Sequence, residues 1–312
     1  MIRYISGRLF QTLPVLFGVS VVVFLLVRFI PGNPATSILG SRATPELVAR
    51  VRDQFGLDLP VWEQYWQFLG RAIQGDFGIS FFYQESVSTL VLQRLPVTIE
   101  LILLAALMSL ILSIPFATLA ALKKDTTADH ITRLVFAAAL GIPSFWLGLV
   151  LALLLSVQIR IFPSSGQGSG GLDTLWHLTL PAFTIALSIS PMLVRALRSS
   201  LIEVMASDYV TTAVASGLKP RQIVVSYMLR NSLLPLITIF GINVGWLIGG
   251  TVIVEQVFGL PGVGSLLLNS ITTRDYAVIQ LATLVFALLV LIVNLLTDLA
   301  YVLFDPRVSL AS

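Results

Sequence analysis

Apolar residues along this chain fall in long, nearly unbroken runs separated by short polar stretches. A helix needs about 20 apolar residues to cross a hydrocarbon core. Runs of that order occupy residues 9–30, 98–122, 134–157, 178–194, 233–254 and 278–304, the fourth being the shortest. The pattern predicts an all-α polytopic membrane protein with six transmembrane helices. The first run follows Arg3 and Arg8, as a secretory signal would. It is long for such a segment, and no small-residue cleavage site precedes Pro31, so it reads as a retained span. Pro115, Pro143, Pro181 and Pro191 interrupt later runs and are expected kink sites.

Residues 31–97 are too patterned for a linker. Thr44-Pro45-Glu46 has an N-cap followed by proline at the first helical position, starting a short helix that Gly56 ends. A second helix begins near Pro60 and places Trp62, Tyr65, Trp66 and Leu69 on one face. That aromatic face suits either the bilayer interface or a docking partner. The expected organisation is an N-terminal region, 1–97, carrying the first span and a small helical extracytoplasmic insertion, and a core, 98–312. Ser164 to Gly171, SSGQGSGG, has the composition of a flexible loop.

Composition agrees with a bilayer protein: 56% of residues are hydrophobic and 11% charged, with mean hydropathy +0.92. The net charge of +3 does not indicate nucleic acid, because the Lys and Arg residues flank the apolar runs. Lys123, Lys124, Arg133, Arg195, Arg198, Lys219, Arg221 and Arg230 lie on the side that also holds Arg3, Arg8 and Arg307. The two short loops opposite carry only Arg160 and Arg274. Both termini are therefore expected in the cytoplasm. With no cysteine and two histidines, thiolate chemistry and disulfides are excluded.

Catalytic signatures are missing. No Gly-Lys dipeptide exists, so ATP is not bound through a phosphate loop, and no G-x-S-x-G turn or His/Glu metal spacing occurs. His130 and His177 belong to opposite sides. Glu100 and Asp298 lie toward span ends, where an ion-coupling role competes with an interfacial one. No catalytic or metal-ligating residue is assigned. A gradient-driven transporter and a membrane enzyme stand as the rival classes.

Gly241, Gly245 and Gly249 form a small-xxx-small row in the fifth span, suited to close helix packing within this chain or against another. Thr238, Asn243 and Thr251 on the same helix are candidates for a polar path. No internal repeat supplies two moving halves, which points to a second subunit.

Between the fourth and fifth spans, residues 195–232 form a long polar segment. Leu197 to Ser216 has a helical pattern, Gly217 suits a left-handed C-cap, and Pro220 suits the first turn of a following helix. Spacing alone is compatible with a passive amphipathic loop on the membrane surface.

The run DYVTTAVASGLKPRQIVVSYMLRNSLLP, from Asp208, resembles the Glu-Ala-Ala loop of permeases from binding-protein-dependent ABC importers. Thr211, Thr212 and Ala213 stand at the Glu-Ala-Ala positions, and only Ala213 and Gly217 match the strict pattern. RYISGRLFQTLPVLFGVSVVVFLLVRFIPGNP, FGLDLPVWEQYWQFLGRAIQGDFGIS, VEQVFGLPGVGSLLLNSITTRDYAVIQ and the DPR at 305–307 are similar to the dipeptide and oligopeptide (nickel) branch, so the likeness covers nearly the whole chain. The resemblance implies a type I importer: two six-span permeases, usually different chains, two cytoplasmic ATPases that bind ATP and Mg²⁺, and an external substrate-binding protein, in a bacterial or archaeal cytoplasmic membrane. It implies no cofactor on this chain. Contact with an ATPase would fall to Asp208, Tyr209, Thr211, Thr212, Ala213, Gly217, Leu218, Lys219, Pro220 and Arg221, with Ala213 and Leu218 supplying apolar contact and Lys219 and Arg221 charge. Cargo in that branch is most often a peptide, with nickel chelates, glutathione, opines and sugars in related systems.

Overall fold

The computed structural model describes residues 2–29, 44–46 and 59–304. The expected helix end at Gly56 and the terminal DPR lie outside these residues. Among them the chain is helical, apart from an isolated bridge between Ile79 and Ser86. Two compact units divide it. One holds residues 2–98 and 261–289, the other residues 99–260 and those from 290 onward.

In the first unit, helix α1 (Ile2–Phe29) carries the first apolar run and α2 (Val61–Ile73) the aromatic segment. Their contact is aromatic: the Tyr65 ring stands edge-on to Phe24, with centroids 5.2 Å apart. The Tyr65 hydroxyl also shares a hydrogen bond with the Ser20 hydroxyl at 2.8 Å, which meets the polar need of a buried tyrosine. Phe68, Leu69 and Ala72 join this cluster. The single aromatic face expected from spacing is thus divided, because Trp62 and Trp66 project outward while Tyr65 turns in.

The same unit contains the start of α3 (Val87–Leu122), all of α9 (Val263–Thr273) and the start of α10 (Tyr276–Phe304). Helix α9 is anchored at its N-terminus, where the Thr98 hydroxyl accepts the Val263 N–H at 2.9 Å, relieving one of the unpaired donors of a first helical turn. At its other end Arg274 adopts a left-handed conformation, φ +58°.

The second unit is built around α6 (Leu172–Met205), which packs against α4 (Thr127–Leu140), α5 (Ser144–Leu151) and α8 (Arg230–Val257). Its apolar window is 67% buried, against 39% for α3 and 28% for α10. Helix α6 is therefore the protein-surrounded element, while α3 and α10 leave more of their apolar surface uncovered within this chain. Pro181 and Pro191 lie inside α6 without ending it. Pro143 acts otherwise: α4 and α5 are bent by 107° at their junction. Proline forces the preceding Ile142 away from helical geometry, and Gly141 caps α4 just before it. The third expected span is consequently an elbow rather than one straight helix. Among the described residues, three helices are long and apolar enough to cross a membrane, or up to five if each bent pair counts as one span.

Candidate functional site

Helix α6 ends at Met205, and α7 (Asp208–Ala215) begins three residues later. The helical pattern from Leu197 to Ser216 is therefore two helices. Ser207 makes the break: its hydroxyl donates to the Val204 carbonyl at 2.6 Å, and its carbonyl accepts the N–H groups of Val210 and Thr211. Serine competes with helix continuation through such local bonds. Asp208 in the first turn of α7 favours the positive end of the helix dipole.

The end of α7 is a Schellman turn. Leu218 N–H bonds to the Ala213 carbonyl and Gly217 N–H to the Val214 carbonyl, with Gly217 at φ +74°. Only glycine adopts this backbone freely. Lys219 then runs extended, and Pro220 opens the turn Pro220–Gln222, which leads through a π-helical stretch, Ile223–Leu229, into α8.

Val210 and Ala213 face inward, Ala213 being only 4% exposed, where α7 packs on α6 and the π-helical stretch. The outer surface is formed by Asp208, Tyr209 (42% exposed), Thr211, Thr212 and Val214 (60% exposed), continuing through Gly217, Lys219, Pro220 and Arg221, with Leu218 half-buried. Ala213, one of the residues to which the resemblance gives apolar contact, lies on the inward side of the segment, and Tyr209 and Val214 are the large apolar groups on its outer surface.

The glycine row of α8 also separates. A Cβ on Gly241 would collide with Thr297 of α10, whereas one on Gly245 or Gly249 would meet nothing within 4 Å among the described residues. Gly245 and Gly249 instead line a cavity of 800 Å³ framed by the α4–α5 elbow, α6 and α8. Pro143, Ser188, Asn243 and Trp246 also line it, and Trp246 is 76% exposed. Asn243 spends an amide hydrogen on the Ile239 carbonyl at 2.7 Å. Thr251 is buried, donating to the Ile248 carbonyl, and Thr238 is exposed. The structure thus brings Asn243, Gly245 and Gly249 together at the cavity, and Thr238, Gly241 and Thr251 lie elsewhere on α8.

A further feature carried no sequence signal. Asp129, fully buried, receives two hydrogen bonds from the Arg198 guanidinium of α6, at 2.7 and 2.5 Å, and one from the Asp125 N–H at 3.0 Å. Asp129 lies before the apolar run that starts at Leu134. The Arg198 guanidinium holds its carboxyl below the usual carboxylate range.

Known proteins resemble this chain along its length. The family described as "Binding-protein-dependent transport system inner membrane component" matches residues 113–310, and its N-terminal companion matches 1–102. The oligopeptide transport system permease protein AppB of Bacillus subtilis (strain 168) is 37% identical, with 99% of this chain and 100% of that protein covered. The glutathione transport system permease protein GsiC of Escherichia coli (strain K12) is 34% identical, with 99% of each covered. Two solved structures share the fold. An inward-facing MetNI methionine ABC transporter chain matches at TM-score 0.55 and 14% identity, covering 69% of this chain and 96% of its own. An amino acid ABC transporter chain matches at TM-score 0.50 and 15% identity, covering 69% and 94%.

Proposed function

This chain belongs to the family of binding-protein-dependent transport system inner membrane components, and from that premise we propose that it forms half of the translocation pathway of an ATP-driven importer of peptides. The family's members are transport permeases of ABC importers and not enzymes. The observation that carries the peptide reading is identity over the whole length to two permeases named for oligopeptide and glutathione transport. Their shared cargo chemistry is a short peptide backbone with charged ends.

The finer reading is a type I permease with six spans, a small extracytoplasmic insertion after the first and both termini in the cytoplasm. Its partners are a second, different permease, two ABC ATPases that hold the ATP and Mg²⁺, and an external binding protein. This chain has no phosphate loop, so ATP energy reaches it by contact. The outward surface of α7, from Asp208 to Val214, and the Gly217 to Arg221 turn are the lever. Tyr209 and Val214 offer apolar contact there, and Lys219 and Arg221 offer charge. The cavity beside Asn243, Gly245 and Gly249 is this subunit's share of the path, open on the face where the second permease sits. Closure of the nucleotide-loaded ATPases then biases the spans from inward- to outward-facing.

The test is purification of the tagged chain with its genomic neighbours, followed by ATPase and uptake assays in lipid vesicles. Co-purifying ATPases whose turnover rises with peptide-loaded binding protein, together with ATP-dependent peptide uptake, support the reading. A chain that purifies alone, or uptake that follows an ion gradient without ATP, overturns it.

A further inference from the structure

Beside the Asp129–Arg198 pair, α4 and α6 enclose a cavity of 640 Å³ whose lining includes His130, Arg133, Leu134, Val194, Arg195 and Arg198. The buried Asp129 carboxylate accounts for the charge of Arg198. Arg133 and Arg195, both exposed, have no carboxylate within ion-pair distance among the described residues. Three arginines face this space against the single Asp129 carboxylate, which Arg133 also approaches electrostatically, so the lining carries a net positive charge of about two, with His130 beside it. Its position is equally specific. Arg133 immediately precedes the apolar run that begins at Leu134, and Val194 next to Arg195 ends the apolar run of α6. Charged and apolar lining thus meet where two apolar runs end, the position in a membrane-spanning helix at which lipid headgroups are met.

We infer that this cavity binds the phosphate headgroup of an anionic phospholipid, with the Arg133 and Arg195 guanidinium groups on the phosphate oxygens and one acyl chain along Leu134. A guanidinium presents paired N–H donors that match phosphate bidentately, and basic pockets between membrane helices favour anionic headgroups. The Asp129–Arg198 pair fixes α4 against α6, so the cavity exists before the lipid arrives. The inference needs only a membrane-embedded chain and is independent of the cargo and of the ATPase contact.

The experiment uses the full transporter in phosphatidylcholine vesicles doped with a photoactivatable phosphatidylglycerol, with adducts mapped by mass spectrometry. Adducts are expected within residues 130–134 and 194–199. They should fall about fivefold in Arg133→Gln, further in the Arg133→Gln/Arg195→Gln variant, and recover in part when lysine stands at both positions. Both arginines are exposed and leave the buried pair intact, so the variants should melt like the parent. Adducts unchanged in the double glutamine variant overturn the inference, as does equal labelling by a phosphatidylcholine probe of the same design. Loss of labelling on adding soluble glycerol phosphate assigns the site to a soluble anion, and adducts joining these residues to an ATPase assign it to protein contact; either excludes the lipid. A complex that labels as expected but imports no peptide keeps the site and overturns only the cargo reading.

Discussion

Asp129 and Arg198 stand 69 positions apart in the chain and are joined by two charge-assisted hydrogen bonds, one each to Oδ1 and Oδ2. The pair ties the first turn of α4 to α6, and Asp129 also holds the Asp125 N–H in the preceding turn. Removing Arg198 leaves the fully buried Asp129 carboxylate without its counter-charge, which costs about 3–5 kcal/mol. Arg198→Ala should therefore lower the melting temperature of the purified protein more than loss of any exposed surface charge.

The pH dependence of that pair has a definite sign. Arg198 lowers the folded-state value of the Asp129 carboxyl, so the pair's contribution is fully present above the unfolded value, about 3.9. It is lost as pH falls through the lowered folded value. The difference in melting temperature between parent and Asp129→Asn should stay constant from neutral pH to about pH 5 and shrink only in stronger acid.

Gly217 supplies a backbone conformation rather than space. Its φ is +74°, and a Cβ there would meet nothing within 4 Å among the described residues. Asparagine tolerates the left-handed region and valine does not. Gly217→Asn should retain most peptide-stimulated ATPase activity, while Gly217→Val, costing about 1–2 kcal/mol or more at the turn, should uncouple ATP hydrolysis from uptake or block ATPase binding. Equal behaviour of the two variants would remove the turn from the coupling proposal.

The glycines of α8 should separate in the same way. Gly241→Ala overpacks the contact with Thr297 and should cost about 1–3 kcal/mol, partly recovered by adding Thr297→Ala. Gly245→Ala and Gly249→Ala meet no neighbour among the described residues, so the isolated subunit should melt as the parent does. Any loss would appear in co-purification of the second permease or in uptake.

In the other unit, Asp275 anchors the turn before α3. Its Oδ2 accepts the Ser80 hydroxyl at 2.5 Å and the Phe82 N–H at 3.3 Å, and Ser80 in turn accepts the Tyr83 N–H at 3.0 Å. Intramolecular hydrogen bonds contribute about 0.5–1.5 kcal/mol each, so losing the two that Asp275 accepts costs about 1–3 kcal/mol. Asp275→Ala should raise amide hydrogen exchange across residues 80–86 by one to two orders of magnitude, roughly the equivalent of that loss, with little change in α6.

Membrane residence and the helical class were legible from the sequence because apolar run length and backbone hydrogen-bond demand in lipid leave few alternatives, while the family was legible only through the resemblance of its motifs, the stretch from Asp208 above all. The turn at Gly217 was legible for a related reason, since a glycine after a helical pattern and a proline three residues later are local signals. Which face of α7 turns inward was not, because Ala213, Tyr209 and Val214 are all compatible with either side of a short helix, and packing against α6 chose among them. Spacing likewise put Gly241, Gly245 and Gly249 in one row, yet each residue's role depends on whether another helix occupies its side, and Thr297 of α10 does so only at Gly241. The Asp129–Arg198 pair and the basic cavity beside it belong wholly to tertiary structure. Charges at the ends of two distant apolar runs look like topology signals until the helices pack, and only then does one arginine find a carboxylate while two others remain facing a common space.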